Sequence, residues 1–262
     1  MPCGINCLNK GADMPNINDT YFDGHYKEIW RTIIPDELTI KEVDFMLPYF
    51  NLQPGSKVID LMCGYGRHAI ALARKGISVI AVDNLGDYTS EIIEIADKEQ
   101  LPLKVVTADV ISYKMDDLFD LAICMGNSLN FFNAADTSKL FSNISAHLNP
   151  GGHLLINSWS IAEITFRSFT EKSWAHIGDV KFLTDSKLFF QPTRIETDSI
   201  MIDTDGTTET KTGIDYIFSI NEIETMLKQA GLMLKEVYSI PGKKKFKPGE
   251  PRAYLVAQRA GA

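Results

Sequence analysis

The chain has 262 residues, of which 45% are hydrophobic, which suits one large core and most simply a single domain with an inserted piece. A formal net charge of -8 argues against a polyanionic partner, because nucleic-acid binding draws most of its affinity from basic surface. Four cysteines make no disulfide framework, no apolar run reaches the ~18 residues of a membrane span, and the first residues lack a signal peptide's basic start, so a cytoplasmic protein bound to neither membrane nor nucleic acid is expected.

Residues 1–18 read as a polar tail. Cys3 and Cys7 have the spacing of half a metal site, but no further Cys or His pair completes it, so no metal is expected. Residues 19–50 read as a helical lid: Asp19 is placed to cap a helix with Phe22, Tyr26, Ile29, Trp30 and Ile33 on one face, and Thr39 with Glu42 forms a capping box for a second helix ending near Phe50. The plainer reading of that aromatic face is core packing.

From Lys57 to Ser158 strands and helices alternate, the pattern of a parallel sheet covered on both faces, with ligands at the carboxyl ends of its strands. The first strand runs into Asp60-Leu61-Met62-Cys63-Gly64-Tyr65-Gly66-Arg67-His68, an acid ahead of a glycine turn that opens a helix. Gly64 and Gly66 allow a tight turn and close approach to a ligand, and the helix start offers free N–H groups. Gly64-x-Gly66-x-x-Ala69 also satisfies the dinucleotide pattern, which seats a pyrophosphate on the helix N-terminus. Asp60 argues against that ligand: a carboxylate there repels a pyrophosphate and suits the ammonium and sulfonium of S-adenosylmethionine.

Ile77–Val82 reads as a second strand ending at Asp83, an acid able to accept both ribose hydroxyls. A helix over Tyr88–Gln100, a third strand over Leu103–Thr107 and Asp109 at its tip follow, the last placed to accept an adenine amino group. Leu118–Cys124 is a fourth strand, Met125–Phe132 its loop, Asp136–Leu148 a crossover helix and Gly152–Ser158 a fifth strand. Lys187–Phe190, Arg194–Asp203 and Thr207–Phe218, with a hairpin turn at Asp205-Gly206, form a small antiparallel insert within residues 160–218. Ser219-x-x-Glu222 caps a helix ended by Gly231, and Leu232–Ile240 and Arg252–Gln258 are two closing strands. The basic run Lys243–Lys247 between them reads as a solvated loop.

Together these pieces resemble a class I S-adenosylmethionine-dependent methyltransferase over roughly Leu38 to Arg259. Asp60 to Gly66 matches the family's first motif, Asp83 its ribose-binding acid, Asp109-Val110 its adenine-contacting pair, and Asn149-Pro150-Gly151-Gly152 the turn before its fifth strand. Met62 stands where many members carry a first glycine, a variation shared by the subgroup with D-x-x-C-G-x-G-R-H, which includes many small-molecule N-methyltransferase-like proteins.

The resemblance implies an α/β, Rossmann-like sheet of seven mainly parallel strands with an antiparallel last strand, residues 51–159 and 219–262 forming its core, and N-terminal helices closing over the cofactor. It implies S-adenosylmethionine as cofactor, held by Tyr26, Asp60, Met62, Cys63, Gly64, Gly66, Asp83, Asn84, Asp109, Val110 and Met125, with Tyr21 and Trp30 nearby. The expected activity is methyl transfer to nitrogen or oxygen of a small metabolite. A non-catalytic S-adenosylmethionine-binding regulator and an NAD(P)-dependent oxidoreductase are the alternatives. The discriminator for the regulator is whether Phe131 and Phe132 plug the pocket.

The loop after the fourth strand has neither the Asn/Asp-Pro-Pro-Tyr/Phe sequence of amino-methylating DNA enzymes nor a Pro-Cys nucleophile, which favours a small-molecule acceptor. Asn127, Ser128, Trp159 and Arg194, with Asn130 and Asn157, are the candidates for binding it. An amine is expected to meet Glu163 and Trp159, and a carboxylate Arg194 or Arg167. The sequence names no catalytic base; His68, His153 and His176 are the candidates, of which His68 packs beside Arg67 in the plainer reading and His153 opens a strand at the end away from the cofactor. A homodimer stays open.

Overall fold

The computed structural model describes residues 16–261; Cys3 and Cys7 lie outside them. Helices α1 (His25–Ile33) and α2 (Asp36–Tyr49) precede an alternating core of β1 (Lys57–Leu61), α3 (Arg67–Ala73), β2 (Ser78–Asp83), α4 (Gly86–Glu99), β3 (Leu103–Thr107), β4 (Phe119–Cys124), α5 (Ala134–His147) and β5 (Leu148–Ser158). After α6 (Ala162–Ser168), strands β6 (Lys172–Ile177), β7 (Val180–Phe190), β8 (Thr193–Ile202) and β9 (Thr208–Tyr216) form a separate antiparallel sheet in that order. The chain then returns through α7 (Ile220–Gln229), β10 (Leu232–Ile240), β11 (Lys244–Lys245) and β12 (Ala253–Arg259).

The main sheet has the order β11-β10-β12-β5-β4-β1-β2-β3, with β12 antiparallel to both neighbours and β1 to β5 parallel. Its strands are apolar on both faces because helices cover both. Val58 enters one core with Val43, Met46 and Leu72, while Ile59 and Leu61 enter the other with Phe141, Ile223 and Leu227. Strand β12 splits the same way, Tyr254 and Val256 to the first and Leu255 and Ala257 to the second.

Four expectations change. The sheet has an eighth member, because two residues of the basic run pair with β10 as β11. Strand β6 adds a fourth strand to the insert; its largely exposed, polar sequence carries no apolar alternation to announce it. No helix starts at Asp19. Ile17–Thr20 is a single 3-10 turn capped by Asn16, and α1 begins only after Gly24, whose φ of 63° breaks the run. Thr39 and Glu42 do not cap α2, which starts at Asp36 behind Pro35; both lie one turn inside it and are buried.

The capping box at Ser219 and Glu222 forms as the sequence suggests, and Gly231 ends α7 with a φ of 80°. The residues read as tail are built in from Asn16 onward. Asn18 is buried, accepts the Ile214 N–H at 2.8 Å and donates to the Ile214 carbonyl at 2.9 Å, so one side chain pairs both backbone groups of this residue on the edge strand β9.

Candidate active site

A cavity of about 220 Å³ opens at the carboxyl ends of β1, β2 and β4 and is roofed by the segment ahead of α1, by α1 itself and by β9. One wall is the glycine corner. Gly66 N–H closes the turn on the Cys63 carbonyl at 3.0 Å, and Gly64 N–H donates to Asp83 Oδ2 at 2.8 Å. Met62, Gly64 and Gly66 all have positive φ, at 54°, 55° and 77°. The position of the missing first glycine thus keeps the left-handed backbone, at a cost of about 1–2 kcal/mol for a residue with a Cβ.

Asp60 lies on the floor of this wall, 1% exposed, and its Oδ2 has no hydrogen-bond partner among the described residues. Burial, opposed by Arg67 and reinforced by Asp83, pushes its carboxyl up to about 7. Asp83 is held by Gly64 N–H and by Leu85 N–H at 3.0 Å, and burial raises it too. Asp109 turns its own loop, accepting from Ile111 and Ser112 N–H at 3.1 Å each, and Asn84 donates to Asp19 at 2.7 Å. Of the eleven residues assigned to the cofactor, ten line the cavity, and Gly66 does not. Its role is packing: a Cβ there would come within 2.7 Å of Ile92 on α4.

The reason for the Arg67-His68 pair is visible below the corner. Glu42 of α2 accepts from Arg67 Nη1 at 2.7 Å, from His68 Nε2 at 2.8 Å and from the Tyr254 hydroxyl at 2.7 Å. Burial opposes its ionisation, but His68, Arg67 and Tyr254 outweigh this and hold its carboxyl down to about 2. His68 is itself pushed down by burial and Arg67. The cluster fastens α2 to α3 and β12, so His68 has no nitrogen Nε2 free for a substrate. Neither His153 nor His176 reaches the cavity; His153 packs on the Phe50 ring.

The opposite wall is aromatic. Tyr21 and Tyr26 have ring centroids 4.9 Å apart, Phe22 and Phe131 4.5 Å, and Trp30 and Trp159 5.4 Å. Tyr21 lies on Gly213 of β9, where a Cβ would come within 2.8 Å of its ring. Phe131 and Phe132 are part of the lining, as are Asn127, Ser128 and Asp215.

Asn127 and Ser128 line the cavity with their polar atoms engaged. Asn127 Oδ1 accepts from Trp159 and Ser160 N–H at 3.0 and 2.9 Å, and its Nδ2 donates to Asp215 Oδ1 at 3.0 Å; the Ser128 hydroxyl donates to the Met125 carbonyl at 2.9 Å. Asn130 and Asn157 likewise bond backbone carbonyls, of Tyr216 and Ala253. Arg194 is outside the cavity, paired with Glu196 at 2.7 Å and lying over the Phe189 ring. Arg167 is exposed and Glu163 caps the start of α7 through Ile220 N–H at 3.0 Å; both miss the cavity. Asp215 is the side chain the sequence reading passed over. Its one signal is an acid within the otherwise apolar run Ile214-Asp215-Tyr216-Ile217-Phe218.

Residues 58–152 match a family model described as a methyltransferase domain. A glycine/sarcosine N-methyltransferase of Halorhodospira halochloris is 27% identical to the chain over 157 residues, 56% of this chain and 58% of the relative, so the chain spans little more than half the length of such relatives. Among solved structures, an S-adenosylmethionine-dependent methyltransferase from Clostridium acetobutylicum ATCC 824 superposes with a TM-score of 0.78 at 20% identity, covering 90% of this chain and 96% of that one. CalS10, an amino pentose methyltransferase from Micromonospora echinaspora, gives a TM-score of 0.70 at 18% identity, covering 91% and 98%. The chain thus shares its fold with these structures over about nine-tenths of its length, and among the described residues no helix is long and apolar enough to cross a membrane.

Proposed function

We propose that the protein is an S-adenosylmethionine-dependent methyltransferase that methylates nitrogen or oxygen of a small molecule. The observation that carries this reading is Asp60 Oδ2, buried at the glycine corner without a partner. An unmet buried acceptor costs about 1–3 kcal/mol or more when charged, and an incoming ammonium removes that cost. In this reading Asp60 takes the amino group, Asp83 the ribose hydroxyls, and Asn84, Asp109 and Val110 the base. Tyr26, Met62, Cys63 and Met125 complete the walls.

Electrostatics favours the same ligand. The cavity is lined by Asp19, Asp60, Asp83, Asp109 and Asp215 against one guanidinium, Arg67, which is already committed to Glu42. Such a site repels a pyrophosphate and attracts a cation. When bound, the cofactor supplies an activated methyl group on a sulfonium. What the chain contributes is alignment of donor and acceptor and an aromatic enclosure against water.

Phe131 and Phe132 line the cavity together with Asn127, Ser128 and Asp215 and leave its volume of about 220 Å³ unfilled, which supports turnover over a purely regulatory role. The small cavity and the domain's relationship to a glycine/sarcosine enzyme support a small acceptor. The test is thermal unfolding with S-adenosylhomocysteine and, separately, NADH. At about 100 times its dissociation constant a ligand stabilises by roughly 2.7 kcal/mol; stabilisation by the homocysteine compound alone is expected, and stabilisation by NADH alone would restore the oxidoreductase.

A further inference from the structure

Asp215 also lines the cavity, and the donor site does not use its carboxyl. Asp215 lies on β9, paired across the sheet with Ile195 of β8, and reaches out of the insert toward the core loop after β4. There its Oδ1 meets Asn127 Nδ2, and Asn127 cannot turn away, because its oxygen is held by two backbone N–H groups. The carboxylate is therefore aimed by a rigid amide. A carboxylate has about four acceptor sites, so capacity remains for a ligand.

The surroundings of this group are aromatic, with Tyr21, Tyr26 and Trp159 in the same wall. No Lys lines the cavity among the described residues, and its Arg67 is spent on Glu42. One carboxylate facing π-surfaces with no free cation is recognition chemistry for an ammonium and is unfavourable for a carboxylate or phosphate. Resting on the methyl-transfer reading above, we propose that the acceptor is a small amine that enters as its ammonium form, held by Asp215, which also takes one of its protons.

The step balances as follows. The N–H bond of the ammonium breaks and the proton passes to the Asp215 carboxylate. The freed nitrogen lone pair forms the N–C bond to the donor methyl as the S–C bond breaks, and that electron pair stays on sulfur as a neutral thioether. The Asp215 proton then leaves to solvent. Burial, partly offset by the Asn127 and Ser160 side chains, pushes the Asp215 carboxyl up to about 7, which suits a base working near neutrality. The ionisable groups facing it are Tyr21, pushed by burial up to about 12, and Tyr26, raised well above its ordinary value by burial, so both stay neutral. Lys211 and Glu209 lie toward the start of β9 and pair with each other, Lys211 also with Asp23.

The experiment is calorimetric titration of the S-adenosylhomocysteine-loaded protein with benzylamine, benzyl alcohol and benzoate, three probes of one shape and different charge. Benzylamine is expected to bind about tenfold or more tighter than the other two, as a charge-assisted hydrogen bond implies, with affinity rising as pH climbs through 7. Asp215→Asn should bind S-adenosylhomocysteine as before and lose both the preference and the pH slope, while Asp215→Glu recovers part of each. Equal binding of benzoate, a preference unchanged in Asp215→Asn, or no benzylamine binding would overturn the amine assignment. Failure of the unmodified protein to bind S-adenosylhomocysteine would instead remove the methyltransferase reading, and this one with it.

Discussion

The two walls of the cavity are built in different ways. The donor wall consists of strand tips and the turns that follow them, so Asp60, Asp83 and Asp109 lie where β1, β2 and β3 end, and neighbouring backbone N–H groups orient the latter two. The acceptor wall joins pieces far apart in the chain: Asn18 to Ile214, Tyr21 to Ser199 and Asn127 to Asp215. A wall of short-range turns survives changes elsewhere, whereas one assembled from separate elements can be altered without touching the cofactor corner.

The sharpest way to break the donor wall is Asp60→Asn. Removing the charge that meets a buried ammonium should cost about 3–5 kcal/mol of binding, roughly a hundred- to several-thousand-fold in S-adenosylhomocysteine affinity by calorimetry. The same change should raise the melting temperature of the ligand-free protein, because it deletes an unpaired buried carboxyl. A variant that binds normally would show that Asp60 does not take the amino group.

Glu42→Ala attacks the support beneath that wall. Stranding Arg67, His68 and the Tyr254 hydroxyl should cost about 3–5 kcal/mol in urea unfolding, the usual penalty for breaking a buried pair. Since Glu42 is held down to about 2, its contribution is present above its ordinary 4.5 and is lost as pH falls toward 2.

Asp60 has the opposite sign. Its folded carboxyl is raised from 3.8 to about 7, so the folded state holds a proton that the unfolded chain has lost across this interval. Ligand-free stability should therefore fall as pH rises from about 4 to 7, by up to ~1.4 kcal/mol per pH unit from this group. Asp60→Asn should flatten that slope. For the acceptor wall, Asp215→Asn should lower kcat/KM for an amine about 100-fold or more, the usual contribution of a general base, with donor affinity intact. Arg194→Ala, outside both walls, should change stability by less than ~1 kcal/mol and ligand binding not at all, as for a surface ion pair.

The donor wall was legible because its chemistry is local: acid, turn glycines and helix start follow one another within Asp60–His68. Alternation of apolar strands and helices made the parallel part of the sheet equally readable, whereas the antiparallel closing strand was expected from the family resemblance and the short β11 was not foreseen. Misreadings arose where a short-range pattern was used for a long-range purpose. Thr39 and Glu42 have capping-box spacing, yet Glu42 is taken by Arg67, His68 and Tyr254. The loop asparagines look like substrate ligands, yet they brace Ser158, Trp159 and Tyr216.

By itself, then, the sequence determined the sheet, the glycine corner and the charge type of the ligand it can hold, since each depends on residues within a turn or a strand of one another. Only the tertiary structure decided that Asn16 and Asn18 are part of the molecule's framework, that Arg194 faces away, and that Asp215 enters the cavity. Those outcomes depend on how β9 registers against β8 and docks on the first turn, and no local propensity records such a pairing across nearly 200 residues.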